Sequence, residues 1–96
     1  MATNATMKVL KTSELERLVR GTFPAKTGFS VQSDLGLTPS RMPATAFVHG
    51  GPDPYLDRQL DDWLRGGLKF IGLYPLLNWL CRTGALPPGD YAVTPS

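Results

Sequence analysis

The sequence predicts an α+β fold: a small antiparallel sheet of about three short strands packed against three short helices. Three observations predict it. The chain holds 10 glycines and 9 prolines in 96 residues, so breakers recur too often for long elements. Its apolar residues switch between helical and alternating spacing along the chain. No strand–helix–strand unit repeats, which argues against a doubly wound parallel sheet.

Residues 1–6 are small and polar without periodicity, and read as a flexible N-terminus ahead of a single domain over residues 7–96. Met7 to Leu10 fits a short extended segment. Ser13-Glu14-Leu15-Glu16 has the form of a capping box, with Ser13 as N-cap and Glu16 reaching back. Leu15, Leu18 and Val19 then share one helical face, and Gly21 and Pro24 end that helix. Phe29 to Ser33 alternates apolar and polar, as a half-buried strand does. Gly36 to Pro43 reads as a stiff loop, and Ala44 to His49 as a second strand.

Gly50-Gly51-Pro52 stops the chain, and Asp53-Pro54 starts a helix, aspartate as N-cap and proline at the first helical position. Leu56, Leu60, Trp63 and Leu64 follow on one face, making this the clearest amphipathic helix in the sequence. Its other face carries Asp57, Arg58, Asp61, Asp62 and Arg65, with Asp61 and Arg65 placed to pair one turn apart. Leu68 to Tyr74 fits strand or helix equally. Pro75 to Thr83 reads as a third, largely buried helix stopped by Gly84. After the Pro87-Pro88-Gly89 turn, Tyr91 and Val93 alternate in a last strand.

Composition bounds function mainly by exclusion. There is one histidine (His49) and one cysteine (Cys81), and no cluster of acids, bases or metal ligands of the kind catalysis needs. The reading therefore assigns no catalytic residue, no metal and no cofactor. Cys81 lies in an apolar helix and reads as a small buried hydrophobe. A single cysteine forms no internal disulfide, and Met1 to Lys11 lacks the apolar stretch of a secretory signal. The apolar run Phe70 to Cys81 is about half a membrane span and is interrupted by Pro75 and Asn78. A cytoplasmic protein with no membrane partner is expected.

The net charge of +2 is modest but uneven. Residues 1–48 carry six Lys/Arg against three Asp/Glu, and residues 49–96 carry four against five. Arg17 and Arg20 share a face of the first helix, and Arg41 sits in a loop held between Pro39 and Pro43. Tyr55 lies off the apolar stripe of the second helix. These residues, with the charged face Asp57, Arg58, Asp61, Asp62 and Arg65, are the candidate partner-binding set, because opposite-charge surfaces steer protein encounters. The basic half also motivates an alternative, nucleic-acid binding, which the lack of aromatics interleaved with the basic residues disfavours. If the helix carrying Trp79 is not fully covered, its apolar remainder would suit a homodimer.

His49-Gly50-Gly51-Pro52 resembles the oxyanion-loop motif of alpha/beta-hydrolases, including the HGGP run of prolyl peptidases. The likeness spans four residues, without the nucleophile elbow, a second histidine or the length of that fold, so the run reads as a strand end followed by a tight turn. In general character the chain is similar to small accessory proteins of phages and prophages, several of which block host defence or regulatory machinery by occupying a surface. No motif carries that likeness. The expected function is a small non-enzymatic protein-binding module, an inhibitor or adaptor that occupies a surface of a larger complex.

Overall fold

The computed structural model describes residues 7–41 and 44–96. The flexible terminus expected at residues 1–6, and Met42 and Pro43 of the expected loop, lie outside the described residues. Strand β1 (Lys8–Lys11) runs directly into helix α1 (Thr12–Thr22). After an irregular stretch come β2 (Ala44–Val48), α2 (Pro54–Leu64), α3 (Leu73–Arg82) and β3 (Gly89–Thr94). The architecture is α+β, with a three-stranded sheet in the order β1-β3-β2. β2 pairs antiparallel with β3, as expected. β1 pairs parallel with β3, so the sheet is mixed rather than wholly antiparallel. A parallel pair needs a long crossover, here supplied by everything between Lys11 and Gly89.

The capping box of α1 lies two residues earlier than its sequence signature suggests. The Lys11 backbone N–H donates to Glu14 Oε1 at 2.9 Å, so Glu14 takes the reciprocal role expected of Glu16. Ser13 sits inside the first turn, and its backbone N–H donates to Ser96 Oγ at 2.8 Å. Ser96 thus satisfies a helix-end donor that has no intrahelical partner. The carboxylate of Glu16 instead accepts the Val31 N–H at 3.0 Å and ties the following segment to the helix. Gly21 does not end α1. The helix continues to Thr22, where the Phe23 N–H closes it on the Val19 carbonyl at 2.9 Å, and Pro24 blocks a further turn.

The strand expected at Phe29 to Ser33 is absent. Val31–Leu35 forms a single π-helical turn that ends on Gly36 at φ +67°. Ser30 Oγ accepts the Ser33 N–H at 3.0 Å, and the Asp34 N–H returns to the Ser30 carbonyl at 2.9 Å. Short polar side chains that bond their own backbone compete with a sheet ladder, and here they win. Phe29 and Val31 are nevertheless buried, so the alternation marks the inward residues correctly while the backbone curls instead of extending. β1 takes the place of this segment in the sheet.

α2 starts where Asp53-Pro54 requires. Asp53 Oδ1 accepts the N–H groups of Tyr55 and Leu56 at 3.1 and 3.2 Å. Residues 68–72 form no regular element. Ile71 turns inward and donates its N–H to the Asp34 carbonyl at 2.9 Å, while Leu68 and Phe70 stay exposed. α3 begins at Leu73, two residues before the expected Pro75, which fits the first turn because its missing N–H has no partner to lose there. Gly84, at φ +86°, takes the left-handed position that stops α3. One contiguous core results. Leu15 and Val19 of α1, Trp63 of α2, and Leu76, Leu77 and Leu80 of α3 meet Val48 and Val93 of the sheet.

Candidate functional site

The residues that chemistry would recruit first are occupied in holding the fold. At the end of β2, Gly50 adopts φ +73°, and a Cβ there would stand 3.1 Å from that of Cys81. Only glycine meets both conditions without strain. The Gly50 N–H donates to Asn78 Oδ1 at 2.8 Å, and Asn78 Nδ2 donates to the Gly51 carbonyl at 2.9 Å. The Gly51 N–H donates to His49 Nδ1 at 2.9 Å. The Gly50 N–H is therefore committed to a side chain of α3 and the Gly51 N–H to the loop's own histidine. β2 ends at Val48, just ahead of the HGGP run, as expected, but residues 49–53 close no backbone turn; the side chains of His49 and Asn78 hold the run instead.

Arg82 on α3 completes this lock. Its guanidinium forks onto both Asp57 oxygens at 3.0 and 2.9 Å and donates a third bond to the Gly51 carbonyl at 2.8 Å. It also lies 4.7 Å from the centre of the half-buried Trp79 ring. Asp57, expected on the charged partner-binding face of α2, is thus a half-buried partner of α3. Asn78 and Arg82 went unrecognised as site residues in the sequence. An asparagine inside an apolar helical run was the available signal, since a buried amide needs partners.

Cys81 is buried and donates weakly to the Pro87 carbonyl, which also accepts from the Tyr91 hydroxyl. Burial pushes the Cys81 thiol above its ordinary value of 9.0, opposed by the nearby charge of Lys8. Burial, and then the proximity of Cys81, push the Tyr91 hydroxyl up as well. Both groups are neutral when protonated, so above its ordinary value the folded state keeps a proton that the unfolded chain has released. Their contribution is complete below about pH 8.5 and is lost as pH rises through the raised folded values. The urea midpoint is expected to hold from about pH 6 to 8 and to fall above about pH 9, less steeply in Cys81→Ala. Equal slopes in the two proteins would contradict this assignment.

The remaining partner-binding candidates fall on three elements, most of them on α2. Asp61 and Arg65 pair at 3.0 Å on the exposed side of α2, as expected, and Asp62, Arg58 and Tyr55 are exposed on the same helix. Arg20 spends its Nε–H on the Phe29 carbonyl at 2.9 Å. Arg17 and Arg41 are exposed on separate elements. Among the described residues, no group of three or more His, Cys, Asp or Glu is placed to hold a metal ion, and no helix is long and apolar enough to cross a membrane.

What the sequence reading missed is the outer face of the sheet. Leu10, Val48, Tyr91 and Val93 point into the core, so their strand neighbours point the other way. Val9, Ala92 and Thr45 form one cross-strand row and Phe47 and Asp90 the next. Val9 is 62% exposed, Phe47 66% and Met7 47%. Met7, Thr45, Phe47 and Asp90 line a shallow open depression on this side. The available signal was the adjacent apolar pairs Val9-Leu10 and Phe47-Val48, whose members a strand must send to opposite faces. Comparison with protein families, curated proteins and solved structures gives no match for this chain.

Proposed function

We propose that the protein is a non-enzymatic protein-binding module that presents the outer face of its sheet to a partner. One observation carries the reading: Val9 and Phe47 stand exposed on the same face of a hydrogen-bonded sheet, with exposed Met7 just ahead of β1 beside them. Apolar side chains held in place on a rigid surface lose little entropy on binding, and exposed apolar patches rimmed by polar residues mark interaction sites. Thr45, Lys11, Asp90 and Thr94 supply the polar surroundings. The exposed charges of α2, Arg58 and Asp62 in particular, act in encounter steering rather than as anchors. In this reading the protein works as an inhibitor or adaptor that covers a surface of a larger complex.

The test is capture from lysate by tagged protein, with and without nuclease, comparing the wild-type chain with a Val9→Glu, Phe47→Glu variant. Both side chains are exposed, so the variant is expected to fold. A protein retained after nuclease should bind the variant at least about tenfold more weakly, as for loss of anchor side chains. Arg58→Glu with Asp62→Arg should change the salt dependence more than the amount bound at low salt. A protein captured equally by wild type and the sheet variant would overturn the assignment of the face. A catch lost on nuclease treatment would move the function to nucleic acid and to the basic half around Arg17.

A further inference from the structure

We infer that β2 is a self-association edge, and that two copies of the chain join through antiparallel β2–β2 pairing into one six-stranded sheet. β3 lies at the centre of the sheet, leaving β1 and β2 as its two edges. The two edges differ in chemistry. β1 reads Lys8-Val9-Leu10-Lys11, and charged residues, lysine above all, are what natural edge strands use to refuse a neighbouring strand. Bringing two copies of β1 together would crowd four ammonium groups. β2 reads Ala44-Thr45-Ala46-Phe47-Val48, with no charge, no proline and no glycine. Among the described residues, no backbone group outside the sheet bonds to it. Every second backbone N–H and C=O of the strand points away from β3, and such unpaired groups are a ready template for another strand.

The segment is also self-complementary. Centred on Ala46, an antiparallel pair sets Ala46 against its own copy, Thr45 against Phe47 and Ala44 against Val48. Thr45 and Phe47 both lie on the outer face, so each pairing of copies makes two aromatic–β-branched contacts of the kind that stabilise sheets. Ala44 and Val48 meet on the inner face. The register works whichever alternate set of residues points to the free edge, because opposed residues then belong to the same set. No like charges meet in it. A single strand pair of this length buries less than the roughly 1,200 Å² of a standard interface, so the association belongs to the micromolar range rather than to an obligate dimer. It would double the apolar sheet face. It does not depend on what that face binds, because its test contains no partner.

Sedimentation equilibrium of the purified full chain from about 1 to about 500 µM spans the affinities expected of so small an interface. The expected mass rises with concentration towards twice the 10.5 kDa of one chain. Two exposed-site variants test the register. Thr45→Lys with Phe47→Lys sets lysine against lysine, and Thr45→Glu with Phe47→Glu sets glutamate against glutamate. Each alone should remain monomeric with an unchanged far-ultraviolet dichroism spectrum, and an equimolar mixture should dimerise again. Val9→Lys, on the same face but the other edge, should leave the dimer intact. A wild-type chain that stays monomeric throughout overturns the inference. So does a dimer lost in Val9→Lys, or one that the mixture fails to restore, since either means stacking of faces rather than pairing of edges.

Discussion

Trp63→Ala is expected to cost about 3–5 kcal/mol, the range for truncating a fully buried tryptophan. A domain of this size holds roughly 5–15 kcal/mol in total, so the variant should be largely unfolded in moderate urea where the wild type is native. The reason is the number of elements that meet on one ring. Phe23 and Phe29 approach it edge-on, with centroids at 6.0 and 5.9 Å. Lys26 Nζ lies 4.4 Å from the ring centre. The indole N–H donates to Asp34 Oδ2 at 3.1 Å. Trp63 therefore pins the segment from Phe23 to Asp34, which follows α1 and joins no sheet. Trp63→Phe should cost about half as much, because it keeps most of the apolar contact and loses the bond to Asp34. Asp34→Asn should cost less again, since the amide oxygen still accepts. Urea denaturation followed by dichroism gives the order. A Trp63→Ala midpoint within error of wild type would mean that the ring is not the centre of the core.

Local signals were legible and distant partnerships were not. Asp53-Pro54 marks the start of α2 because the cap bonds lie within three residues of Asp53. The alternation from Phe29 to Val31 identifies inward side chains, but it does not distinguish a strand from a π-helical turn held by Ser30 and Asp34. The pairing of β1 with β3 brings Lys8 opposite Tyr91, a neighbour that no local pattern discloses. Asp57 and Asp61 look equivalent in sequence, one turn apart on the same helix. What separates them is Arg82, 25 residues further on. The sheet face was half legible, since Val9-Leu10 and Phe47-Val48 each force one apolar residue outward. Which one points out depends on where the helices pack, and this is decided by the core as a whole.

That difference between Asp57 and Asp61 belongs to the lock on the β2–α2 loop, where the second large effect is expected. Asn78 is 1% exposed and serves two backbone groups, the Gly50 N–H and the Gly51 carbonyl. Asn78→Leu keeps the branched outline of the side chain, adds some bulk and removes both bonds. The Gly50 N–H is then left without a partner, at a cost of about 1–3 kcal/mol. The Gly51 carbonyl is not, because Arg82 Nη2 still reaches it at 2.8 Å. Arg82→Ala removes that bond and the fork onto Asp57, and is expected to cost about 2–3 kcal/mol. Only the double variant strips the carbonyl of both donors. Its loss should therefore exceed the sum of the two single losses by about 0.5–2 kcal/mol, the range found for residues that share a partner. Asp57→Ala should be clearly destabilising, whereas Asp61→Ala breaks only an exposed pair and should cost no more than about 0.5 kcal/mol. Strict additivity of Asn78→Leu and Arg82→Ala, or equal losses for the two aspartates, would mean that the loop is held by something else. If the coupling is found, the end of β2 is fixed to α3 through Gly50 and Gly51, which keeps Phe47 and the free edge of the sheet in place for a partner.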